Sequence, residues 1–300
     1  MIVVPAGLAQ ERLRGEQVEA RRWLDALPSV VERLCEQWRL TPSAERLRHG
    51  ANALVVPVTQ HGEHSPQGRP CVLKVSWHAE SVAEEATALR AWDGHHAVLL
   101  LDAAPDDGAL LLERLDDSRT LQGLDLLAAA ETAGDLVRCL AIPAPGGLPR
   151  LRDKAAEVAA SLRPRQRALG DPLPSRWVDM ADRLERELAA DAGELLVHSD
   201  LHYGNVMAGM RNPWLAIDPR AVAGDPELSV PELMWSRLDE AADDSVVRTL
   251  LAAVVGAGAL DADKALAWTV VRTVDYWLWG LDAGLTEDPL RCRRLLEVLA

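Results

Sequence analysis

The sequence predicts an α+β protein of two lobes, a small β-rich N-lobe and a larger, mainly helical C-lobe. Three observations carry this. Short apolar runs separated by Gly/Pro turns fill the stretch up to residue 115. Beyond it, apolar residues recur mostly at helical spacing. The 300 residues are 48% hydrophobic, enough for two ordinary cores. The expected division is residues 1–115 and 116–300, with "ERLDD" as the hinge.

Residues 16–38 read as a helix, because Trp23, Leu24, Leu27, Val30, Val31, Leu34 and Trp38 fall on one helical face. "RLRHGANALVVPV" (46–58) reads as strand, glycine turn, strand. "HGEHSPQG" has the composition of a hairpin loop, and "RPCVLKVSW" (69–77) is the strand after it. Residues 80–93 form an amphipathic helix ended by Gly94. "AVLLLD" (97–102) and "ALLLERL" (109–115) are strands joined by the turn "AAPDDG". After Leu115 strands nearly stop. Helices are expected at 120–140, 151–168, 174–191, 227–239, 243–258, 261–282 and 286–299, with one short strand, "WLAID", at 214–218. "PAPGGLP" (143–149) is a rigid loop inside the second lobe.

Bulk properties narrow the partners. The net charge of −14 repels nucleic-acid phosphates and anionic lipid, so neither is expected as a partner. Residues 225–300 hold fourteen Asp/Glu against seven Lys/Arg, so half the excess sits in that quarter, and a cationic small molecule suits it. The plainer reading of the charge is solubility. No stretch reaches the roughly 20 apolar residues of a membrane helix, and "MIVVPAGLAQERLRGE" lacks a basic head followed by an apolar run. Cys35, Cys71, Cys139 and Cys292 lie far apart without a C-x-x-C pair, as expected of free thiols in a cytoplasmic protein. A monomer is the expected state.

The chemistry concentrates in "LVHSDLHYGNVMAG" (196–209). A zinc site pairing His198 with His202 needs a helix beneath both, yet Gly204 and Asn205 follow at once and no Glu stands between them. A nucleophilic Ser199 needs a G-x-S-x-G elbow and has His and Asp as neighbours. Polar residues capping one another is the bland alternative. His198-Ser199-Asp200, four residues, then Asn205 has the spacing of the protein-kinase loop H-R-D-x-x-x-x-N. There the Asp accepts the substrate hydroxyl proton and the Asn holds Mg²⁺, so one loop keeps base and metal in register. A further carboxylate is then needed from a nearby strand end, and Asp218 closes "WLAID".

"VHSDLHYGNVMAG" followed by "PWLAIDP" resembles the aminoglycoside phosphotransferases, whose catalytic loop reads H-x-D-x-H-x-x-N. "NALVVPV", "LLLERLDDSRTL" and "PWLAIDP…GDPEL" most resemble the streptomycin 6-phosphotransferase and hydroxyurea kinase branch, from about residue 40 onward. The resemblance implies a two-lobed protein-kinase-like fold, ATP and Mg²⁺ as cofactors, and transfer of the γ-phosphate to a hydroxyl of an aminoglycoside such as streptomycin. Alternatives are a kinase of another sugar-like or small metabolite, hydroxyurea included, and a catalytically weak nucleotide-binding protein. Use of ATP rather than GTP stays open.

Carried onto this sequence, the resemblance makes Asp200 the base and Asn205 and Asp218 the Mg²⁺ ligands, with His198 a scaffold for the loop backbone. Lys74 would hold the α/β-phosphates while paired with Glu85, Glu84 being second choice; a buried lysine is costly alone. "HGANALVV" stands where a phosphate-covering loop would, with one glycine. Glu113 C=O and Leu115 N–H would bind adenine. The acceptor would meet Asp275, Glu240 and Trp279 in the C-lobe, carboxylates taking cations and indoles stacking. A core role for the tryptophans is the plainer reading, since the chain has no Phe. One departure stands out: Arg220 follows Asp218-Pro219, where relatives often carry an acidic residue. Asp225 is a possible substitute there, though a structural role for it fits better.

Overall fold

The computed structural model describes residues 2–12, 17–50, 52–62 and 65–300, in two compact units, Met1–Leu115 and Asp116–Ala300. Glu16, Ala51, Glu63 and His64, at which three of the expected elements begin or turn, lie outside the described residues.

The first unit opens with α1 (Ala6–Arg12) and α2 (Gln17–Gln37). Its strands are β1 (Leu40–Pro42), β2 (Arg48–His49), β3 (Ala53–Gly62), β4 (Ser65–Ser76), β5 (Leu100–Ala104) and β6 (Ala109–Glu113), and α3 (Ala79–Trp92) follows β4. They form one antiparallel sheet in the order β1-β3-β4-β6-β5, with β2 against β3. The α2 face read from the sequence is the packed one: Leu24, Leu27, Val31, Leu34 and Trp38 join Leu54, Val56, Leu73 and Leu111 in one core. In the turn before β6, Gly108 takes φ 67°, and a Cβ there would come within 2.6 Å of the Ser76 carbonyl oxygen, so glycine is required.

The second unit contains β7 (Asp116–Thr120), α4 (Leu126–Leu140), α5 (Leu151–Ala168), α6 (Ser175–Ala190), β8 (Leu195–His198), β9 (Val206–Ala208), β10 (Trp214–Ala216), β11 (Ala221–Gly224), α7 (Val230–Trp235), α8 (Asp244–Gly258), α9 (Ala262–Asp282) and α10 (Glu287–Leu299). Asp125, Asp243 and Asp261 cap α4, α8 and α9 by accepting two backbone N–H groups each. Two apolar clusters hold the unit together. One joins Leu162, Trp177, Ala181, Val274, Leu278 and Leu296; the other joins Leu151, Val197, Val222, Trp268 and Val271.

Several expectations need correcting. Strands after Leu115 are more numerous than expected: beside β10, within "WLAID", and β8, in the strand-like "ELLV", the chain forms β7, β9 and β11, with β7, β9 and β10 in one sheet and β8 paired with β11. Each is five residues or shorter, so period-two alternation had no length in which to show. The helix expected at 120–140 begins only at Leu126, after the Asp125 cap, and a 3₁₀ turn occupies Leu121–Gly123. The one expected at 227–239 is broken into a 3₁₀ turn, α7 and another 3₁₀ turn; Pro226 and Pro231 each remove a backbone donor there. β5 starts at Leu100 rather than Ala97. β10 ends at Ala216, because Asp218 takes a left-handed conformation, φ 57°.

Candidate active site

Two strand pairs bring the polar loops together. β8 pairs with β11 so that His198 faces Ala221, and β9 pairs with β10 so that Val206 faces Ala216. The loops 199–205 and 217–220 are therefore fastened at both ends. Ile217 N–H donates to Asn205 C=O (2.9 Å) at one end, and Ser199 N–H to Arg220 C=O (3.2 Å) at the other. Asp200, Asn205 and Asp218, separated by up to eighteen positions, thus sit on adjoining loops of the second unit.

Backbone and side-chain bonds within the first loop fix its shape. The Asp200 carbonyl accepts from His202 N–H (3.1 Å) and from Asn205 Nδ2 (2.8 Å). With its nitrogen so committed, the buried Asn205 amide keeps Oδ1 for another partner. His198 is buried; its Nε2 donates to Ile217 C=O (2.8 Å), which leaves Nδ1 to accept from Asp200 N–H (3.4 Å). Burial holds this imidazole below the ordinary histidine range, so the neutral tautomer that makes both bonds persists. Ser229 Oγ donates to the His198 carbonyl (3.0 Å). His202 Nδ1 accepts from Gly204 N–H (3.1 Å). Both rings thus brace the loop. Tyr203 lies beneath it, fully buried, with the Arg237 guanidinium 5.3 Å from its ring centre.

The Asp200 side chain is about one-quarter exposed, and its Oδ2 meets Arg220 Nε at 3.3 Å. The donor set beside it, a carboxylate at Asp218 and an amide oxygen at Asn205, is hard oxygen. That suits Mg²⁺, which takes one or two protein oxygens and fills its remaining positions from phosphates and water. Among the described residues no group of three or more His, Cys, Asp and Glu side chains is arranged to hold a metal. Asp225 is taken up elsewhere: it accepts from Gly193 N–H (2.8 Å) and Trp268 Nε1 (3.2 Å) and pairs with Lys264.

In the first unit Lys74, on β4, donates to both carboxylate oxygens of Glu85 on α3, at 2.8 and 2.7 Å. Both residues are buried, and the partner is Glu85 rather than Glu84. Glu113 ends β6 with its backbone N–H on Leu99 C=O (3.0 Å) and its side chain accepting from Leu99 N–H (2.8 Å). Leu115 is buried at the last position of the unit.

Of the acceptor residues named from the sequence, Asp275 and Trp279 lie one turn apart on α9 and Glu240 closes the 3₁₀ turn Leu238–Glu240. Glu240 pairs with Arg237, which also donates to the Leu121 and Leu124 carbonyls, so its carboxylate serves a local brace. Asp275 is held by Arg165 and, at 3.4 Å, by Arg272. Trp279 is half-exposed and stacks on Tyr276 (5.4 Å), which stacks on Trp235 of α7 (4.9 Å). Glu232 was missed. It pairs with Arg272 (3.3 Å). Burial pushes it up to about 7, against the opposing Arg272 charge and with the nearby Asp200 charge adding to the rise. Its signal was present in "VPELMW", an acid inside an apolar run, the pattern that singled out Lys74.

The family described as aminoglycoside/hydroxyurea antibiotic resistance kinase matches residues 37–284. A streptomycin 6-kinase of Streptomyces glaucescens is 37% identical, covering 95% of this chain and 92% of that protein. A hydroxyurea phosphotransferase of Kitasatospora aureofaciens is 37% identical, covering 100% of this chain and 86% of that protein. Among solved structures, a thermostable mutant of aminoglycoside phosphotransferase APH(4)-Ia, in ternary complex with ADP and hygromycin B, is 18% identical. It aligns with a TM-score of 0.60 over 90% of this chain and 98% of that one, which shows the shared protein-kinase-like fold. The chain belongs to the aminoglycoside/hydroxyurea antibiotic resistance kinase family.

Proposed function

We propose that this protein is an ATP-dependent kinase that transfers the γ-phosphate to a hydroxyl group of a streptomycin-like aminoglycoside. The observation that carries the reading is the fastening of Asp200, Asn205 and Asp218 onto adjoining loops by the β8–β11 and β9–β10 pairs. The relative named a streptomycin 6-kinase supports the acceptor class.

On this reading Asp200 takes the acceptor hydroxyl proton or orients that hydroxyl for in-line attack. Asn205 Oδ1 and the Asp218 carboxylate would hold Mg²⁺, which would neutralise phosphate charge when bound. Lys74, kept in place by Glu85, contacts the α/β-phosphates, and Glu113 C=O and Leu115 N–H hold adenine. The aromatic stack Trp235–Tyr276–Trp279 is a wall for the acceptor, with Asp275 and Glu232 its charged groups. The enzyme is read as a cytoplasmic monomer, where ATP is at hand.

The test is incubation of the purified protein with ATP and Mg²⁺ against an acceptor panel that includes streptomycin, hygromycin B and hydroxyurea, with GTP in parallel. Mass spectrometry should find one added phosphoryl group on streptomycin. Turnover of hydroxyurea alone would move the assignment to the second reading, which the hydroxyurea phosphotransferase relative favours. ATP binding without turnover of any acceptor would leave a nucleotide-binding protein.

A further inference from the structure

Arg220 has a fixed backbone and a largely exposed side chain. Its carbonyl accepts from both Ser199 N–H (3.2 Å) and Ser199 Oγ (2.7 Å), so the Cα is tied to the residue next to Asp200. Its side chain is 71% exposed, and Nε pairs with Asp200 Oδ2 at 3.3 Å. An exposed pair of this kind is weak, so little holds the guanidinium to a carboxylate alone. Three residues set its direction: Asp218 with φ 57°, the rigid Pro219, and the β11 register that begins at Ala221. The result is a cation on the same short loop as a candidate metal ligand, in contact with the candidate base.

A cation beside these carboxylates opposes the binding of a metal cation. What a guanidinium at this place does favour is a second anion. Arginine presents donors on several nitrogens, so Nε on Asp200 is compatible with the terminal nitrogens on phosphate oxygens. In phosphoryl transfer the oxygens of the moving group carry the charge that must be stabilised, and an arginine at that point acts mainly on the transition state.

We propose that Arg220 is a catalytic residue that bridges Asp200 and the transferred phosphoryl group, orienting the base and stabilising the phosphoryl oxygens during transfer. The inference rests on the kinase reading of Asp200. No bond to Arg220 forms or breaks: the acceptor oxygen bonds to phosphorus as the bond to the ADP oxygen breaks, and the acceptor proton leaves by way of Asp200.

Arg220→Gln and Arg220→Lys are to be compared with the parent enzyme in three measurements: thermal melting, steady-state kinetics, and binding of Mg²⁺–ADP with and without aluminium fluoride, a mimic of the phosphoryl group in transfer. The expected result for Arg220→Gln is an unchanged melt, kcat lowered about 10²–10³-fold with KM for ATP within about threefold, and loss of the extra affinity that fluoride confers. Arg220→Lys should recover part of both. Equal kcat and equal fluoride-dependent affinity in parent and Arg220→Gln would overturn the inference while leaving the kinase reading intact, and so would a faster Arg220→Gln, which would make the ion pair a brake. A parent enzyme that neither phosphorylates any acceptor nor gains affinity with fluoride would overturn both.

Discussion

At the scale of single residues, the candidate site separates groups that do chemistry from groups that hold them. Asp200 is reachable by solvent, while His198, Asn205 and Ser229 around it are buried and hydrogen-bonded. Asp200→Asn should therefore lower kcat about 10²–10⁴-fold, the usual worth of a general base, with a melting temperature close to the parent's; a coupled ADP-release assay and a thermal melt check the two halves. The Lys74–Glu85 pair behaves differently because both side chains are buried. Lys74→Met leaves a carboxylate buried without its cation, which costs on the order of 3–5 kcal/mol. Lys74→Met with Glu85→Leu should return much of that stability in urea unfolding, yet restore no ATP binding. A double variant as unstable as the single one would show that packing, not charge, sets the cost.

Elements position these residues by close packing. α4 and α8 touch where Gly134 has no side chain: a Cβ there would come within 2.5 Å of the Val254 carbonyl oxygen. Alanine is the better helix former by about 1 kcal/mol, but the clash is with backbone, which cannot rotate away. Gly134→Ala is thus expected to destabilise by about 1–3 kcal/mol in chemical denaturation; a stabilised variant would mean the two helices slide apart at little cost. The Asp125 cap of α4 makes a milder case. Asp125→Ala should cost about 1 kcal/mol, since the Leu127 and Ala128 amides lose their acceptor. β8 and β11 make the point for strands. At four residues each they are too short to be stable alone, and they persist because Val197 and Val222 enter the same core as Trp268 and Val271.

Across the whole molecule, buried ionisable groups set how stability follows pH. Glu185 is buried on α6 with Oε2 lacking a partner among the described residues. Burial, reinforced by Asp275, pushes its carboxyl from 4.5 up to about 8. Between those values the native protein binds a proton that the unfolded chain releases, so stability falls as pH rises through this window. Glu232, pushed from 4.5 up to about 7, acts in the same direction. His198 acts in the opposite one: its buried imidazole refuses the proton that an unfolded histidine accepts below 6.5, so stability is lost as pH falls below that value. Glu185→Gln should raise stability at pH 8 by about 1–3 kcal/mol and leave it nearly unchanged at pH 5, in unfolding measured at both. An equal effect at both values would mean that the carboxyl is ionised throughout.

The amino-acid order by itself determined what is local. Helical spacing gave α2, α5, α6, α9 and α10 to within a residue or so, because an amphipathic face repeats over many turns and needs no distant partner. The candidate-site loop was legible for a related reason: His198, Asp200 and Asn205 lie on one loop at fixed spacing. Lys74 showed itself as a charge inside the apolar run "VLKV", and Glu85 as the partner that the family resemblance implies for it. Tertiary structure decided the rest. Short strands of three to five residues exist only through pairing with segments up to ninety-two positions away, as β7 does with β9. Whether an acid is offered to a ligand or taken by a neighbour can likewise be a long-range matter: Arg165 reaches Asp275, and Lys264 and Trp268 take Asp225. Arg220 was visible as an odd residue in the sequence, but only the β8–β11 register sets its guanidinium against Asp200. Pairs such as Arg165–Asp275 and Arg220–Asp200 depend on distance in space, which spacing along the chain does not encode.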